Sequence, residues 1–88
     1  MFENGQKVKF TKHGVEVEGR IDGRRTWCQV GGHCHTKHQT AAVNTAVMAW
    51  GFKVHAPIVQ PDGTFYKDRH DRPLMGLGYM DEKLLTAA

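Results

Sequence analysis

The amino-acid sequence predicts an α+β fold: an antiparallel β-meander or partial small barrel packed on one central α-helix, with a C-terminal hairpin and a short terminal helix. Three observations lead there. Residues 7–30 alternate polar and apolar side chains in runs separated by His13-Gly14 and Asp22-Gly23. Thr36-Lys37-His38-Gln39 has the form of a capping box ahead of an alanine-rich apolar stretch. Beyond Gly51 the two-residue alternation returns. A chain of 88 residues is expected to make one domain, 1–88, around one small core.

The first hairpin rests on two signals that agree. Lys7-Val8-Lys9-Phe10-Thr11 and Val15-Glu16-Val17-Glu18-Gly19-Arg20-Ile21 both alternate, and His13-Gly14 suits a two-residue turn in which Gly accepts positive φ. That register sets Phe10 opposite Val17 on the inner face and Lys9 opposite Glu18 on the outer face. Asp22-Gly23 reads as a second hairpin turn. With two turn residues, Cys28 faces Val17, Val30 faces Val15, and Trp27 points outward. With three, the strand flips and Trp27 is buried over Gly19. The alternation of Cys28 and Val30 about Gln29 favours an outward or half-exposed Trp27.

Gly31-Gly32 ends the meander. The helix is expected from Thr36 to about Trp50, with Gly51 as the residue that terminates it. Val43, Val47 and Trp50 would share one face, beside Ala42, Ala46 and Ala49. Phe52, Val54, Ala56 and Ile58 then alternate as a strand, and Pro57 marks a strand end or an edge. Pro61-Asp62-Gly63 is a turn, with Thr64 to Lys67 as the return strand. Lys67 to Pro73 reads as a charged loop. Leu74 to Met80 is apolar but broken by glycines, so strand and irregular packing both stay open. Asp81 is placed to cap a last short helix.

The pattern Gly5, Val8, Phe10, then Gly14-Val15-x-Val17-x-Gly19-x-Ile21, resembles the opening of an SH3-like small barrel. It covers about a third of the chain. What the resemblance implies is a binding module, since such barrels serve nucleic-acid and protein recognition.

Charge is distributed unevenly. The formal net charge is +3. No carboxylate lies between Asp22 and Asp62, an interval that holds Arg24, Arg25, Lys37 and Lys53. The predicted binding residues are Lys7, Lys9, Arg20, Arg24, Arg25, Trp27 and Lys37. Cations interleaved with an aromatic suit nucleic acid: phosphates take the charges and an unpaired base stacks on the ring. The same set suits an acidic protein surface, because Trp and Arg are frequent interface anchors. Glu16 and Glu18 dilute the field on that face.

Residues 26–39 concentrate sulfur and imidazole. Cys28, His33, Cys34, His35 and His38 offer enough donors for one tetrahedral zinc ion. The spacing from Cys28 to Cys34 is wider than paired zinc ligands usually show, and Cys28 also has a core role by strand parity. A Cys34 nucleophile at a helix N-terminus, with His33 or His35 as base, is conceivable chemistry. Adjacent residues seldom have the mutual geometry for it. Asp68-Arg69-His70-Asp71-Arg72 is expected to be a solvated loop.

No stretch approaches the length of a membrane span. The opening Met1-Phe2-Glu3-Asn4-Gly5-Gln6 lacks a basic segment followed by an apolar run, so no secretion signal is expected. A cytoplasmic location with reduced thiols is the resulting expectation. The sequence therefore points to a small non-enzymatic module that binds nucleic acid or a nucleoprotein through its basic β-face and the 24–38 region. The alternatives are a compact protein-binding inhibitor or adaptor, of the kind found among phage and mobile-element accessory proteins, and a zinc-stabilised domain or zinc-dependent enzyme.

Overall fold

The computed structural model describes residues 1–29 and 48–88. Among these described residues six strands form one antiparallel sheet: β1 Lys7–Lys12, β2 Val15–Ile21, β3 Thr26–Gln29, β4 Met48–Pro57, β5 Met75–Asp81 and β6 Thr86–Ala87. The sheet runs β3-β4-β2-β1-β6, with β5 on the other edge of β4, and curls into a half-barrel.

The first hairpin forms as its turn chemistry directs. Lys12 faces Val15 across the turn, and His13 (φ 49°) and Gly14 (φ 78°) carry the positive dihedrals of a primed turn. Phe10 lies opposite Val17 and Lys9 opposite Glu18. Val8, Phe10, Val17, Gly19 and Ile21 are buried, while the alternate residues face solvent.

The third strand departs from the predicted meander. β3 pairs with β4, not with β2: Trp27 faces Trp50 and Cys28 faces Ala49. Asp22-Gly23 does not turn a hairpin. Arg20 and Ile21 of β2 pair with His55 and Val54, so β2 and β3 occupy successive stretches of one edge of β4. Between Ile21↔Val54 and Thr26↔Gly51 the β2–β3 side advances five residues against three on β4. Asp22 to Arg25 is thus a two-residue bulge inside one long bent strand. Gly23 sits in it at φ 130°, held by the Asn4 side chain, which accepts from its amide at 2.9 Å. An even number of extra residues preserves side-chain parity, so Trp27 stays on the face of Ile21. Cys28 falls on the opposite face and does not join the core.

The central helix is likewise corrected. Among the described residues there is no α-helix, and Met48-Ala49-Trp50, predicted as its last turn, open the ten-residue strand β4. Gly51 is a strand residue, not a helix terminator. The rest of the predicted helix, 36–47, lies outside the described residues, as do Gly31-Gly32 and the capping box. Among the described residues the core is accordingly built without a helix: Val8 and Phe10 of β1, Val17 and Ile21 of β2, and Phe52, Val54 and Ala56 of β4, joined by Val59 after β4 and Leu85 before β6. Full burial of side chains such as Phe52 or Ile21 stabilises by about 1.5–3 kcal/mol each. Phe2 closes the core edge-on against Phe52, with ring centroids 5.6 Å apart.

Beyond β4 the chain turns at Pro61-Asp62-Gly63, with Gly63 at φ 87° and its amide bonded to the Gln60 carbonyl at 2.9 Å. The predicted C-terminal hairpin is reduced to isolated bridges, Val59↔Phe65 and Lys67↔Pro73. The charged loop is organised by Asp68, whose carboxylate accepts from the amides of His70 and Arg72 at 2.8 and 3.0 Å. The glycine-broken run 75–81 is a strand. Asp81 caps a single 3₁₀ turn, Glu82–Leu84, by accepting from the Lys83 amide at 3.0 Å.

Two glycines allow the sheet to bend around β4. A Cβ on Gly19 would stand 2.8 Å from both the Ala56 Cβ and the His55 carbonyl oxygen, and one on Gly51 would collide with the Met80 carbonyl. Gly78, by contrast, has nothing within 4 Å of its Cβ position. Gly19→Ala is therefore expected to lower the unfolding free energy by about 1–3 kcal/mol through overpacking. Gly78→Ala should be neutral or mildly stabilising, as glycine costs roughly 0.5–1 kcal/mol in a strand interior. Urea denaturation of both variants checks this, and coincident midpoints for Gly19→Ala and the parent would contradict the packing argument.

Candidate recognition surface

Cross-strand pairing brings Trp27 and Trp50 together where the inner face of the sheet runs past the end of the core. Their rings meet edge to face, with centroids 5.3 Å apart. Both stay open to solvent, Trp27 by 51% and Trp50 by 43%. Trp50 shares the face of Phe52 by alternation along β4. Arg25, the last residue of the bulge, places its guanidinium carbon 4.4 Å from the centre of the Trp50 ring, within cation–π range. The other side of that guanidinium system is tied down. Arg25 Nε and Nη2 donate to the two Glu82 carboxylate oxygens at 2.7 and 2.8 Å, a two-pronged pair. Glu82 lies in the 3₁₀ turn that Asp81 caps, so the C-terminal segment braces the residue that stacks on Trp50.

That contact sets the local titration. The hydrogen bond from Arg25 holds the Glu82 carboxyl below the ordinary glutamate range, and the same bond raises the Arg25 guanidinium. Cys28, on the opposite face of β3, is a free thiol. Burial, and then the charge of Asp81, push it above the ordinary thiol value, which favours the unreactive neutral form.

The sequence-predicted basic residues do not gather into one positive field. Lys7 bonds Glu18 at 3.8 Å and Lys9 bonds Glu16 at 3.5 Å, both diagonal to the register. Arg20 donates to the Gly5 carbonyl at 3.2 Å and lies opposite Lys7 on one side and His55 on the other. Asp22 runs alongside Lys53, donating its amide to the Lys53 carbonyl at 2.8 Å. Arg24 is exposed at the bulge. Lys37 lies outside the described residues. The predicted binding residues thus divide: Lys7, Lys9 and Arg20 neighbour one another on the outer face among their carboxylate and carbonyl partners, while Trp27 and Arg25 meet at Trp50. Trp50, expected on a helix face, lies in β4, and its membership in the alternation Trp50, Phe52, Val54, Ala56 is the sequence signal for that position.

Of the five candidate zinc donors only Cys28 is described; His33, Cys34, His35 and His38 lie outside the described residues. Among the described residues no three His, Cys, Asp or Glu side chains converge as metal ligands. No helix of the described residues is long and apolar enough to cross a membrane.

Comparison with protein-family models, with curated proteins and with solved structures finds no match to this chain.

Because the folded Glu82 carboxyl lies below its unfolded value, its contribution is complete above the ordinary glutamate range. It is lost as pH falls through the lowered value. Arg25 stays charged throughout that window. Tryptophan emission should accordingly be constant from neutral pH down through the ordinary carboxylate range and change only below it. Glu82→Gln should abolish that acid transition. An unchanged transition in Glu82→Gln would detach the tryptophans from this pair.

Proposed function

We propose that this chain is a small non-enzymatic protein-binding module whose anchor is Trp27, Trp50 and Arg25. The observation that carries the reading is the exposed, edge-to-face tryptophan pair with Arg25 stacked on Trp50 and pinned by Glu82. Trp and Arg dominate interface energetics where they stand rigid and exposed. Side chains already held by packing and a two-pronged ion pair lose less freedom on binding than mobile ones. The expected partner is a protein with an apolar pocket for the tryptophans and acidic groups at its rim, complementing Arg24 and the net charge of +3. A cytoplasmic setting suits the free Cys28 thiol.

Nucleic acid, the first candidate from sequence, ranks second on this geometry. Salt-dependent phosphate binding needs cations free to release counterions. Lys7, Lys9 and Arg25 instead hold Glu18, Glu16 and Glu82. The tryptophan platform alone still suits base stacking.

The test is affinity capture followed by reconstitution with the purified captured protein. Trp50→Ala and Trp27→Ala should each weaken that complex by about tenfold or more, the cost of a truncated hot spot. Affinity should fall only a few-fold between low and moderate salt. Retardation of single-stranded DNA or RNA, abolished steeply by salt and insensitive to the captured protein, would replace this reading with the nucleic-acid one.

A further inference from the structure

The open side of the half-barrel is a second surface, away from the tryptophan pair. It is a groove of about 430 Å³ whose wall on one side is the end of β1, with Phe10, Lys12 and His13, and on the other the strand β5. Val54, Ala56 and Val59 lie beneath it. Both bordering strands have backbone left over. Among the described residues β5 pairs only with β4. Among the described residues β1 is covered on its outer edge by β6 only at Val8 and Lys9, so Phe10 to Lys12 have no strand partner there.

β5 also lacks the devices that keep an edge strand solitary. Met75 to Met80 contains no charge, no proline and no lysine gatekeeper. Its inward positions are Gly76 and Gly78, sharing the face of the half-buried Met80. Gly76 is filled from below by Ile58, whose Cγ1 stands 2.9 Å from the Cβ position. Over Gly78 there is open space. A glycine in a strand interior weakens the strand, and it is retained most simply where another backbone approaches closely.

We infer that this groove takes an added β-strand: an extended segment of a partner protein that pairs with the free edge of β5 and lays large apolar side chains over Gly78 and Ala56. Two features decide among occupants. A second copy pairing β5 to β5 would set one glycine face beside another and leave the space unfilled. A segment with bulky alternate residues fills it. The groove wall carries the Lys12 ammonium beside the His13 imidazole, and among the described residues no carboxylate lines it. Charge complementarity therefore asks for an acidic residue at the end of the segment that meets the β1–β2 turn. Strand addition supplies affinity through main-chain hydrogen bonds and specificity through alternate side chains.

The probe is a displayed library of random peptides of about eight residues, slightly longer than a common strand. It is selected on the full chain, and the enriched peptide is then followed by amide chemical shifts. The expected peptide alternates large apolar with polar residues, carries an acid, and shifts the amides of Phe10 to Lys12 and of Met75 to Met80. Gly78→Leu, which the open space accommodates, should fold normally and reduce its affinity at least tenfold. N-methylation of alternate peptide amides should do the same without touching the protein. Lys12→Glu should reverse the preference for the acid. Enriched peptides that bind Gly78→Leu undiminished, or shift only Trp27 and Trp50, would overturn the inference. So would a β5 edge already paired in a dimer of the free protein. Trp50→Ala leaves this groove intact, so failure here and failure of the tryptophan anchor are distinguishable.

Discussion

The fold depends on how β4 uses one of its edges. That edge serves two partners in succession, first β3 and then β2, and the second edge serves β5. The strand opposite β4 bends between Ile21 and Thr26, where the Asp22–Arg25 bulge carries two extra residues against β4. Close passage of neighbouring backbone follows from the same bend. It is met by removing Cβ at Gly19, against Ala56 and His55, and at Gly51, against the Met80 carbonyl. The core can then be small and still closed: Val8, Val17, Ile21 and Phe52 are sealed between the two arms of one curled sheet, with Phe2 and Leu85 at its ends.

The same bend determines what faces solvent. Because the bulge is even-numbered, the inner face continues past the core, and Trp27 and Trp50 emerge on it beyond Phe52. Arg25 ends the bulge, so the residue that closes the distortion is also the one that stacks on Trp50. Glu82 reaches it because β5 runs back along β4 and delivers the 3₁₀ turn to the site. Each element of the tryptophan anchor is thus a consequence of the strand path, with no separate scaffold.

What was legible in the sequence was local. The His13-Gly14 turn and its flanking alternation specify a register within a dozen or so residues, and that register formed pair for pair. The Pro61-Asp62-Gly63 turn and the Asp81 cap were readable for the same reason. The partner of β3 was not, since nothing in Thr26 to Gln29 says which distant strand it will meet. Asp22-Gly23 misled because the glycine that turns a hairpin also accommodates a bulge. Met48 to Trp50 misled because a short apolar run fits the last turn of a helix and the first residues of a buried strand equally well. The alternation reaching back from Ala56 through Phe52 to Trp50 was the stronger evidence. With it, Trp50 would have joined Trp27 among the binding residues.

Electrostatics completes the picture of which surfaces are left for recognition. The outer face, where cations were expected to meet an anionic partner, is a set of short-range pairs in which Lys7 and Lys9 are answered by Glu18 and Glu16. Exposed pairs of this kind stabilise by well under about 1 kcal/mol. Their effect is more to cancel field than to strengthen the fold. On that face the local field is reduced, which is why the proposed recognition rests on short-range complementarity. The surfaces that offer it are where the sheet's own curvature stops: the inner face that outruns its core at Trp27 and Trp50, and the seam where β1 and β5 fail to meet. A barrel closed by its own strands would possess neither: among the described residues both surfaces exist because the curled sheet stops at a half-barrel, and the proposed recognition rests on that.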